Sequence, residues 1–262
     1  MMRTLRFDRD GTVLFAERSD GDGVPLVVVP GVMADACSWR PVVDALPVPN
    51  PVIVLNRRGR VPSGPLGPDY SLRTEIDDLN HVLDVIGEPV DLFGWSYGGL
   101  IALEVAVDRQ RLRSVVAYEP VSSPFGIEAL DDLRNAHHDG DLDRAVEIVN
   151  RTVSGFSAEY VAELRANPVW PVLRPLAHPL ADELVALNAH TPAWDRYPEI
   201  DVPVTLLLGE LNEGAPPYGT AFEVIRNALP QADVVRMPGQ GHLAHAQAPE
   251  VLAKYIAQAI AR

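Results

Sequence analysis

Residues Gly94-Trp95-Ser96-Tyr97-Gly98 place a serine between two glycines in a Gly-x-Ser-x-Gly pattern. A short apolar run, 89–93, precedes them, and a helical pattern over 100–107 follows. This order of strand, tight turn and helix predicts a nucleophile elbow, in which a strained serine is lifted to the edge of a sheet. The helix directs its N-terminal amides at the same point, where negative charge is favoured. We therefore predict that Ser96 is a nucleophile.

Apolar runs along the rest of the chain predict the strands of a larger sheet. Two short strands open the chain at 4–7 and 13–17, with a turn at 8–11. Continuous apolar runs, typical of strands buried on both faces, follow at 24–29, 52–55, 89–93, 114–118, 204–208 and 234–237. Helical patterns separate them, as in 72–86, which Gly87 ends, and in 251–261, which Pro249 precedes. Strands alternating with helices predict an α/β fold with a mostly parallel central sheet flanked by helices.

The alternation stops between residues 121 and 200. This stretch predicts helices only, at 142–153, 158–166 and 181–189, with several prolines between them. Eighty residues are too many for a loop in a compact domain. We therefore predict a helical cap over 121–200, inserted after the sixth main strand, and a core formed by 1–120 and 201–262.

Composition excludes several classes of protein. The chain has 262 residues, of which 47% are apolar, and a net charge of −14, which argues against nucleic acid and anionic membrane surfaces as partners. No apolar run approaches the length that spans a bilayer, and the charged residues 1–10 do not resemble a signal peptide. Cys37 is the only cysteine, so we expect no internal disulfide, no metal site and a small core residue there. We expect a cytoplasmic protein.

A serine hydroxyl needs a base to take its proton. His242 stands in Gly239-Gln240-Gly241-His242, after the last predicted strand and before the last helix, where glycines allow the backbone to bring the imidazole over the serine. Of seven histidines it is the only one in such a setting, and His245 is expected to begin or line the next segment. His242 is therefore the predicted base.

With these motifs the chain resembles the α/β-hydrolase superfamily over essentially its whole length. The matching features are the elbow at Ser96, the Pro30-Gly31 turn after the first buried strand, the Arg57-Arg58-Gly59-Arg60 loop and the Gly241-His242 loop. The Arg-Arg-Gly-Arg loop and a Tyr-Glu-Pro sequence are similar to those of capped bacterial hydrolases. The resemblance implies an α/β-hydrolase fold with a helical cap and an esterase-like activity.

The third member of a catalytic triad is a carboxylate that orients the imidazole. The resemblance implies an Asp after the seventh strand in a Gly-x-x-Asp setting, but the chain has Asn212 there. Glu119 follows the sixth strand, where a minority of the superfamily places the acid, and Glu213 is adjacent to Asn212. Either acid preserves the chain order Ser, Glu, His. We predict Glu119, with Glu213 as the alternative.

Two further groups complete the predicted site. The resemblance implies that the backbone N–H groups of Tyr97 and Val32 stabilise an oxyanion, with Met33 as the alternative to Val32. Five aromatic side chains are predicted to line an apolar substrate pocket: Trp39, Trp95, Phe125, Trp170 and Trp194.

These residues predict a serine hydrolase that cleaves a carboxylic ester, or a thioester or lactone, through an acyl-enzyme on Ser96. A small apolar ester is the expected substrate, and no metal or cofactor is expected. Three alternatives remain open on the same fold. They are an acyltransferase or cyclising enzyme of secondary metabolism, a lyase or cofactor-free oxygenase, and a non-catalytic binding protein.

Overall fold

The computed structural model describes residues 2–9, 11–87 and 89–261. Its strands are β1 (Met2–Arg9), β2 (Thr12–Ser19), β3 (Leu26–Val29), β4 (Val52–Asn56), β5 (Val90–Trp95), β6 (Leu112–Tyr118), β7 (Val204–Gly209) and β8 (Asp233–Met237). They form one eight-stranded sheet in the order β1-β2-β4-β3-β5-β6-β7-β8. The β2 strand runs antiparallel to both of its neighbours, and the other six strands, β3 to β8, are parallel to one another. The predicted mostly parallel sheet is confirmed.

Helices cover both faces of this sheet. They are α1 (Arg40–Ala45), α2 (Leu72–Ile86), α3 (Tyr97–Asp108), α4 (Leu130–His138), α5 (Leu142–Ile148), α6 (Ala158–Ala166), α7 (Trp170–Ala177), α8 (Leu180–Ala189), α9 (Tyr218–Ala228), α10 (Ala244–Gln247) and α11 (Pro249–Ile260). None of the helices in the described ranges is long and apolar enough to cross a membrane.

The two faces of the sheet bury two separate apolar cores. Successive residues of a strand point to opposite faces, so Val27 and Val29 of β3 join one core, whereas Leu26 and Val28 join the other. The first core packs against α2, α3 and the helices that follow β6, and the second against α1 and α11. Burial on both faces explains why the parallel strands are continuous apolar runs.

Only helices and short turns lie between β6 and β7. The prediction missed α4 and α7, the latter because Pro171 and Pro175 lie in it. The predicted helix 142–153 is α5 followed by one π-helical turn, Val149–Val153. We call residues 121–200 the helical insertion; its division from the core as a separate unit stays a prediction.

The predicted burial of Cys37 is wrong, and the predicted turn at 8–11 is described only in part. Cys37 is exposed rather than buried, because it begins a short 3-10 turn whose Trp39 faces inward instead. Its Sγ lies 3.8 Å from Glu17 Oε1. The predicted turn at 8–11 includes residue 10, which lies outside the described residues, as do residues 1 and 262 of the predicted core.

Candidate active site

Ser96 occupies a strained turn between β5 and α3. Its backbone has φ 56° and ψ −120°, a combination that a residue with a side chain rarely adopts and that costs about 1–3 kcal/mol. Two hydrogen bonds hold the turn: the Ser96 N–H donates to the Tyr118 carbonyl at 2.9 Å, and the Gly99 N–H donates to the Ser96 carbonyl at 2.9 Å. The serine therefore sits at the carboxyl edge of the parallel strands and at the N-terminus of α3.

The flanking glycines are required because a side chain at either position would clash with neighbouring backbone. A Cβ atom at Gly94 would overlap the Gly98 carbonyl oxygen, and one at Gly98 would overlap the Val29 carbonyl oxygen. The motif thus reflects close backbone packing around the elbow, as its sequence context predicts.

His242 and Glu119 form a buried hydrogen-bonded pair beside the elbow. His242 Nδ1 lies 2.7 Å from Glu119 Oε2, and the two residues are 5% and 0% exposed. Because a carboxylate accepts, Nδ1 carries the proton and Nε2 is left free to accept one. In the described part of the chain no hydrogen bond joins Nε2 to the Ser96 hydroxyl, although both residues line one cavity; such contacts commonly tighten only when substrate binds.

The Glu119 carboxylate is held from three directions. Its Oε1 accepts from the Gly209 N–H at 2.8 Å, and Asn212 Nδ2 lies 3.0 and 2.9 Å from Oε1 and Oε2. Glu119 also has a positive φ of 41°, fixed by its N–H donating to the Leu207 carbonyl at 3.0 Å. Asn212 is therefore a hydrogen-bond donor to the Glu119 carboxylate. Glu213 points away and pairs with Arg236 at 2.6 Å on the surface.

Aromatic side chains enclose the His242 imidazole. The Tyr218 ring stacks on it with centroids 3.5 Å apart and planes 11° from parallel, and the Trp95 ring centroid lies 4.9 Å away. Trp95 Nε1 donates to the His242 carbonyl at 3.0 Å, and the Tyr118 hydroxyl donates to the Gly241 carbonyl. Burial lowers the pKa of His242 below its usual value, opposed in part by the Glu119 hydrogen bond and charge. The imidazole is thus neutral at pH 7, as a proton acceptor must be.

The loop after β3 lies directly against the serine. A Cβ atom at Gly31 would lie 2.9 Å from the Ser96 Cβ, so only glycine fits there. The two residues that follow, Val32 and Met33, line the same cavity as Ser96, and Met33 has a positive φ of 57°. Tyr97 is the first residue of α3. First-turn N–H groups of a helix have no partner within it, so Tyr97 can donate to a ligand.

A buried guanidinium connects this loop to the helical insertion. Arg57 Nε donates to the Pro30 carbonyl at 2.8 Å, and its Nη2 donates to the Gly31 carbonyl at 2.9 Å. The same guanidinium donates to Glu75 at 2.6 Å and to Glu183 of α8 at 2.7 Å. Burial disfavours the charged form, but these two carboxylates outweigh it and raise the pKa of Arg57. We call Arg57, its two carboxylate partners and Arg60, which also pairs with Glu183, the buried ion network.

The cavity that contains Ser96 and His242 has a volume of about 180 Å³ and mainly apolar walls. Two of the five predicted pocket residues, Trp95 and Phe125, line it. Residues of the helical insertion form much of the remaining wall, including Val149, Asn150 and Val153 from the π-helical turn. Such turns occur frequently at functional sites.

The other three predicted pocket residues are not among those that line this cavity, and their role in substrate binding stays a prediction. Trp39 is fully buried in the core under α1 and α11, stacked on His245 with ring centroids 5.2 Å apart. Trp170 donates from Nε1 to Asp143 at 2.6 Å. Trp194 packs edge-on against Tyr197, 5.3 Å away between centroids. Each of these three side chains packs against or donates to a neighbouring residue, and none of them lines the cavity.

Several residues of the site were not found from sequence. Tyr218 lies on α9 and Ser154 in the insertion, and their hydroxyls are 2.8 Å apart at the cavity wall. No local pattern marks either residue. His245 lines the cavity while its buried Nδ1 has no hydrogen-bond partner among the described residues, and burial lowers its pKa to about 3.

A sequence model of the alpha/beta hydrolase family matches residues 26–255 of the chain. This stretch contains the elbow, the buried acid and the histidine loop. The chain belongs to the alpha/beta hydrolase family.

Individual relatives are more distant. A protein of Azorhizobium caulinodans assigned as a carbamate hydrolase is 26% identical over 256 residues, which cover 88% of this chain and 89% of that protein. A Bacillus subtilis protein assigned as a 2-succinyl-6-hydroxy-2,4-cyclohexadiene-1-carboxylate synthase is 23% identical over 211 residues, 73% of each chain. The crystal structure of an alpha/beta hydrolase from Sphaerobacter thermophilus superposes with a TM-score of 0.82 at 26% identity, covering 98% of this chain and 99% of that one.

Proposed function

We propose that this protein is a serine hydrolase that cleaves a carboxylic ester through an acyl-enzyme on Ser96. The observation that carries the proposal is the 2.7 Å contact between His242 Nδ1 and the buried Glu119 carboxylate, next to a serine in an elbow conformation. The similarity to a protein assigned as a carbamate hydrolase supports it, because carbamates and esters are both cleaved at an acyl carbon.

The proposed reaction begins when His242 Nε2 takes the proton of the Ser96 hydroxyl and Oγ attacks the ester carbonyl. Glu119 holds the imidazole in the required tautomer and stabilises its charged form. The developing oxyanion accepts from the N–H groups of Tyr97 and of Val32 or Met33, where one donor is typically worth about 10²–10³ in rate. His242 then gives its proton to the leaving alkoxide, and the alcohol departs.

Water completes the proposed cycle. His242 takes a proton from it, hydroxide attacks the acyl carbon, and the bond to Ser96 Oγ breaks as the histidine returns the proton to the serine. The products are a carboxylic acid and an alcohol, and the enzyme is unchanged.

We propose further that the helical insertion, 121–200, acts as a cap. Val149, Val153 and Leu173 of the insertion line the same cavity as Ser96. A site enclosed on this side excludes water and favours an apolar substrate.

A fluorophosphonate probe followed by mass spectrometry tests the nucleophile. We expect one adduct, on Ser96, in the native protein and none in Ser96→Ala. Hydrolysis of an ester in H₂¹⁸O should then place one ¹⁸O in the acid product. Absence of the adduct with turnover retained in Ser96→Ala would contradict the proposal.

A reaction other than hydrolysis on the same site is the second candidate. The similarity to a protein assigned as a synthase favours it. Labelling of Ser96 combined with product that contains no ¹⁸O from water would support transfer or cyclisation instead.

A further inference from the structure

Two cavities of very different size meet at Ser96. The larger, about 180 Å³, is the one described above. The smaller has a volume of about 20 Å³ and lies between the elbow and α8. Both are lined by Val32, Ser96, Phe125 and Val153. The nucleophile therefore faces two compartments, which an ester with its two substituents can occupy together.

The chemistry of the proposed reaction assigns each substituent to one cavity. The attacked carbon carries four groups: Oγ, the oxyanion, the leaving oxygen and the acyl substituent. The leaving oxygen must lie near His242, because that imidazole supplies its proton. Of the two cavities, the larger is lined by His242 together with Leu243 and Ala246 from the same loop. The smaller is lined by Tyr97 and Val32, beside the oxyanion donors, and not by His242. The alcohol portion thus belongs in the larger cavity and the acyl substituent in the smaller.

The smaller cavity accepts only a very small group. A cavity of about 10–15 Å³ holds a single water, and a cavity of about 20 Å³ suits a group of about methyl size. Its walls include Leu180, Leu184 and Leu187 of α8, all buried. Glu183 of the same helix also lines this cavity, but its carboxylate is occupied by Arg57 and by Arg60 Nη2 at 2.8 Å. This wall is therefore mainly apolar and firmly held.

The larger cavity accepts a group of aromatic-ring size. An apolar protein cavity of about 150 Å³ binds benzene, and this one is somewhat larger at about 180 Å³. Phe156, Leu164 and Leu173 contribute apolar surface to it.

We infer that the enzyme is selective for acetyl-sized esters of apolar alcohols about as large as benzyl alcohol. This inference rests on the proposed function. In the reaction the bond between the acyl carbon and the alcohol oxygen breaks, and a bond from that carbon to Ser96 Oγ forms. The serine proton passes through His242 to the alcohol, and water then releases the short acid.

Two isomeric esters test the inference without changing the protein. Benzyl acetate and methyl phenylacetate have the same composition, and their alkoxide leaving groups are similarly basic, but the bulky group lies on opposite sides of the carbonyl. We expect kcat/KM to be at least about tenfold higher for benzyl acetate, because misfit by even one methylene in a pocket is worth about that much. Equal values, or a preference for methyl phenylacetate, would overturn the inference.

Two variants test the assignment of each cavity. Leu187 lines only the smaller cavity, so Leu187→Ala should raise kcat/KM for methyl phenylacetate relative to benzyl acetate. Leu173 lines only the larger one and is partly exposed, so Leu173→Trp should fold and lower the value for benzyl acetate selectively. The opposite shift in Leu173→Trp would overturn the assignment even if Leu187→Ala does not fold.

Failure of the proposed function has a different signature. In that case neither ester is hydrolysed and the fluorophosphonate does not label Ser96. If Ser96 is labelled but neither isomer is cleaved, the size assignment is wrong while the nucleophile stands.

Discussion

Replacing Glu119 by Gln changes one oxygen of the buried carboxylate into an NH₂ group. The two oxygens accept from different groups: Oε1 from Gly209, and Oε2 from His242 at 2.7 Å, with Asn212 Nδ2 close to both. An amide nitrogen at the Oε2 position would face two donors, the His242 Nδ1–H and the Asn212 amide. The imidazole escapes this conflict by moving its proton to Nε2, the atom that must accept the serine proton.

The expected loss in kcat follows from this change of tautomer. An acid-to-amide change in a serine-histidine-acid site lowers kcat about 10⁴-fold, equivalent to about 5.5 kcal/mol of transition-state stabilisation. The free energy of unfolding falls by less, since one hydrogen bond to a charged group is worth about 1.5–3 kcal/mol. We therefore expect Glu119→Gln to remain folded at 25 °C and to be almost inactive.

Steady-state hydrolysis of benzyl acetate, together with thermal unfolding, measures both effects. Glu213→Gln is the matched control, because Glu213 pairs only with Arg236 on the surface, and we expect it to keep nearly full activity. More than about a tenth of native kcat in Glu119→Gln, with the fold intact, would show that this carboxylate does not act through the histidine.

Exchanging the acid and the amide sharpens the test. Asn212→Asp alone places a second carboxylate about 3 Å from Glu119, where two like charges cannot both ionise, so we expect it to be impaired. The double variant Glu119→Gln/Asn212→Asp restores one charge and one amide. It should be at least about tenfold more active than Glu119→Gln, a gain of about 1.4 kcal/mol. A simple sum of the two single losses would mean that the residues act independently.

Four further results are expected. Because members of a triad act as a unit, Ser96→Ala, His242→Ala and the double variant should show similar residual kcat; a double variant far slower than either single one would contradict this. Burial lowers the pKa of His242, and the neutral form is the base, so kcat/KM should stay high as pH falls below about 6.5, the usual histidine value. His245 also has a lowered pKa, about 3 in the folded state, so protonation favours unfolding and its contribution to stability falls as pH drops below about 6.5. Between pH 7 and pH 5 the unfolding free energy should therefore fall by about 2 kcal/mol less in His245→Phe than in the native protein, as measured by urea denaturation at each pH. Glu183→Gln leaves Arg57 and Arg60 short of a charge and should lower the unfolding free energy by about 3–5 kcal/mol, whereas an unchanged value would mean that the buried ion network contributes nothing.

The elbow and the strands could be predicted because their signals are local. The Gly-x-Ser-x-Gly pattern encodes its own geometry, since the glycines at 94 and 98 leave space for neighbouring backbone and the apolar run before Ser96 is a strand buried on both faces. The same locality explains α2, whose apolar spacing of three and four ends at Gly87, a residue with φ 75°. For the elbow and for α2, the local sequence alone is enough to predict the local structure.

The environment of the acid could be predicted only in part. The position of Glu119 after a strand predicts it as the acid, and Asn212 is uncharged. That Asn212 donates to both oxygens of Glu119 depends on β6 and β7 being neighbours in the sheet, which brings two strand ends together across 93 residues of sequence. The Asn212 amide thus supports the carboxylate that we propose as the acid.

The pocket walls could not be predicted from residue type. Large aromatic side chains such as Trp39, Trp170 and Trp194 often line apolar sites, but each is equally suited to a packed layer. The residues that do line the cavity, such as Val149 and Leu173, are ordinary aliphatic side chains whose direction depends on how the helices of the insertion pack. That packing follows from contacts between segments, which no periodicity within one segment encodes.

The buried ion network joins one helix of the insertion to the loop beside Ser96. Glu183 fixes α8 to Arg57, and the same guanidinium holds the Pro30 and Gly31 carbonyls of the loop beside Ser96. Removing one partner of such a buried pair costs about 3–5 kcal/mol, so α8 cannot lift away without disturbing the proposed oxyanion donors. The cavity wall formed by α6 and α7 is different, since its lining residues there are partly or fully exposed. Within the described residues, the hydrogen bonds and ion pairs of the network involve neither of these helices. We therefore expect substrate to enter beside α6 and α7, while α8 keeps the acyl compartment small and the oxyanion loop in place throughout turnover.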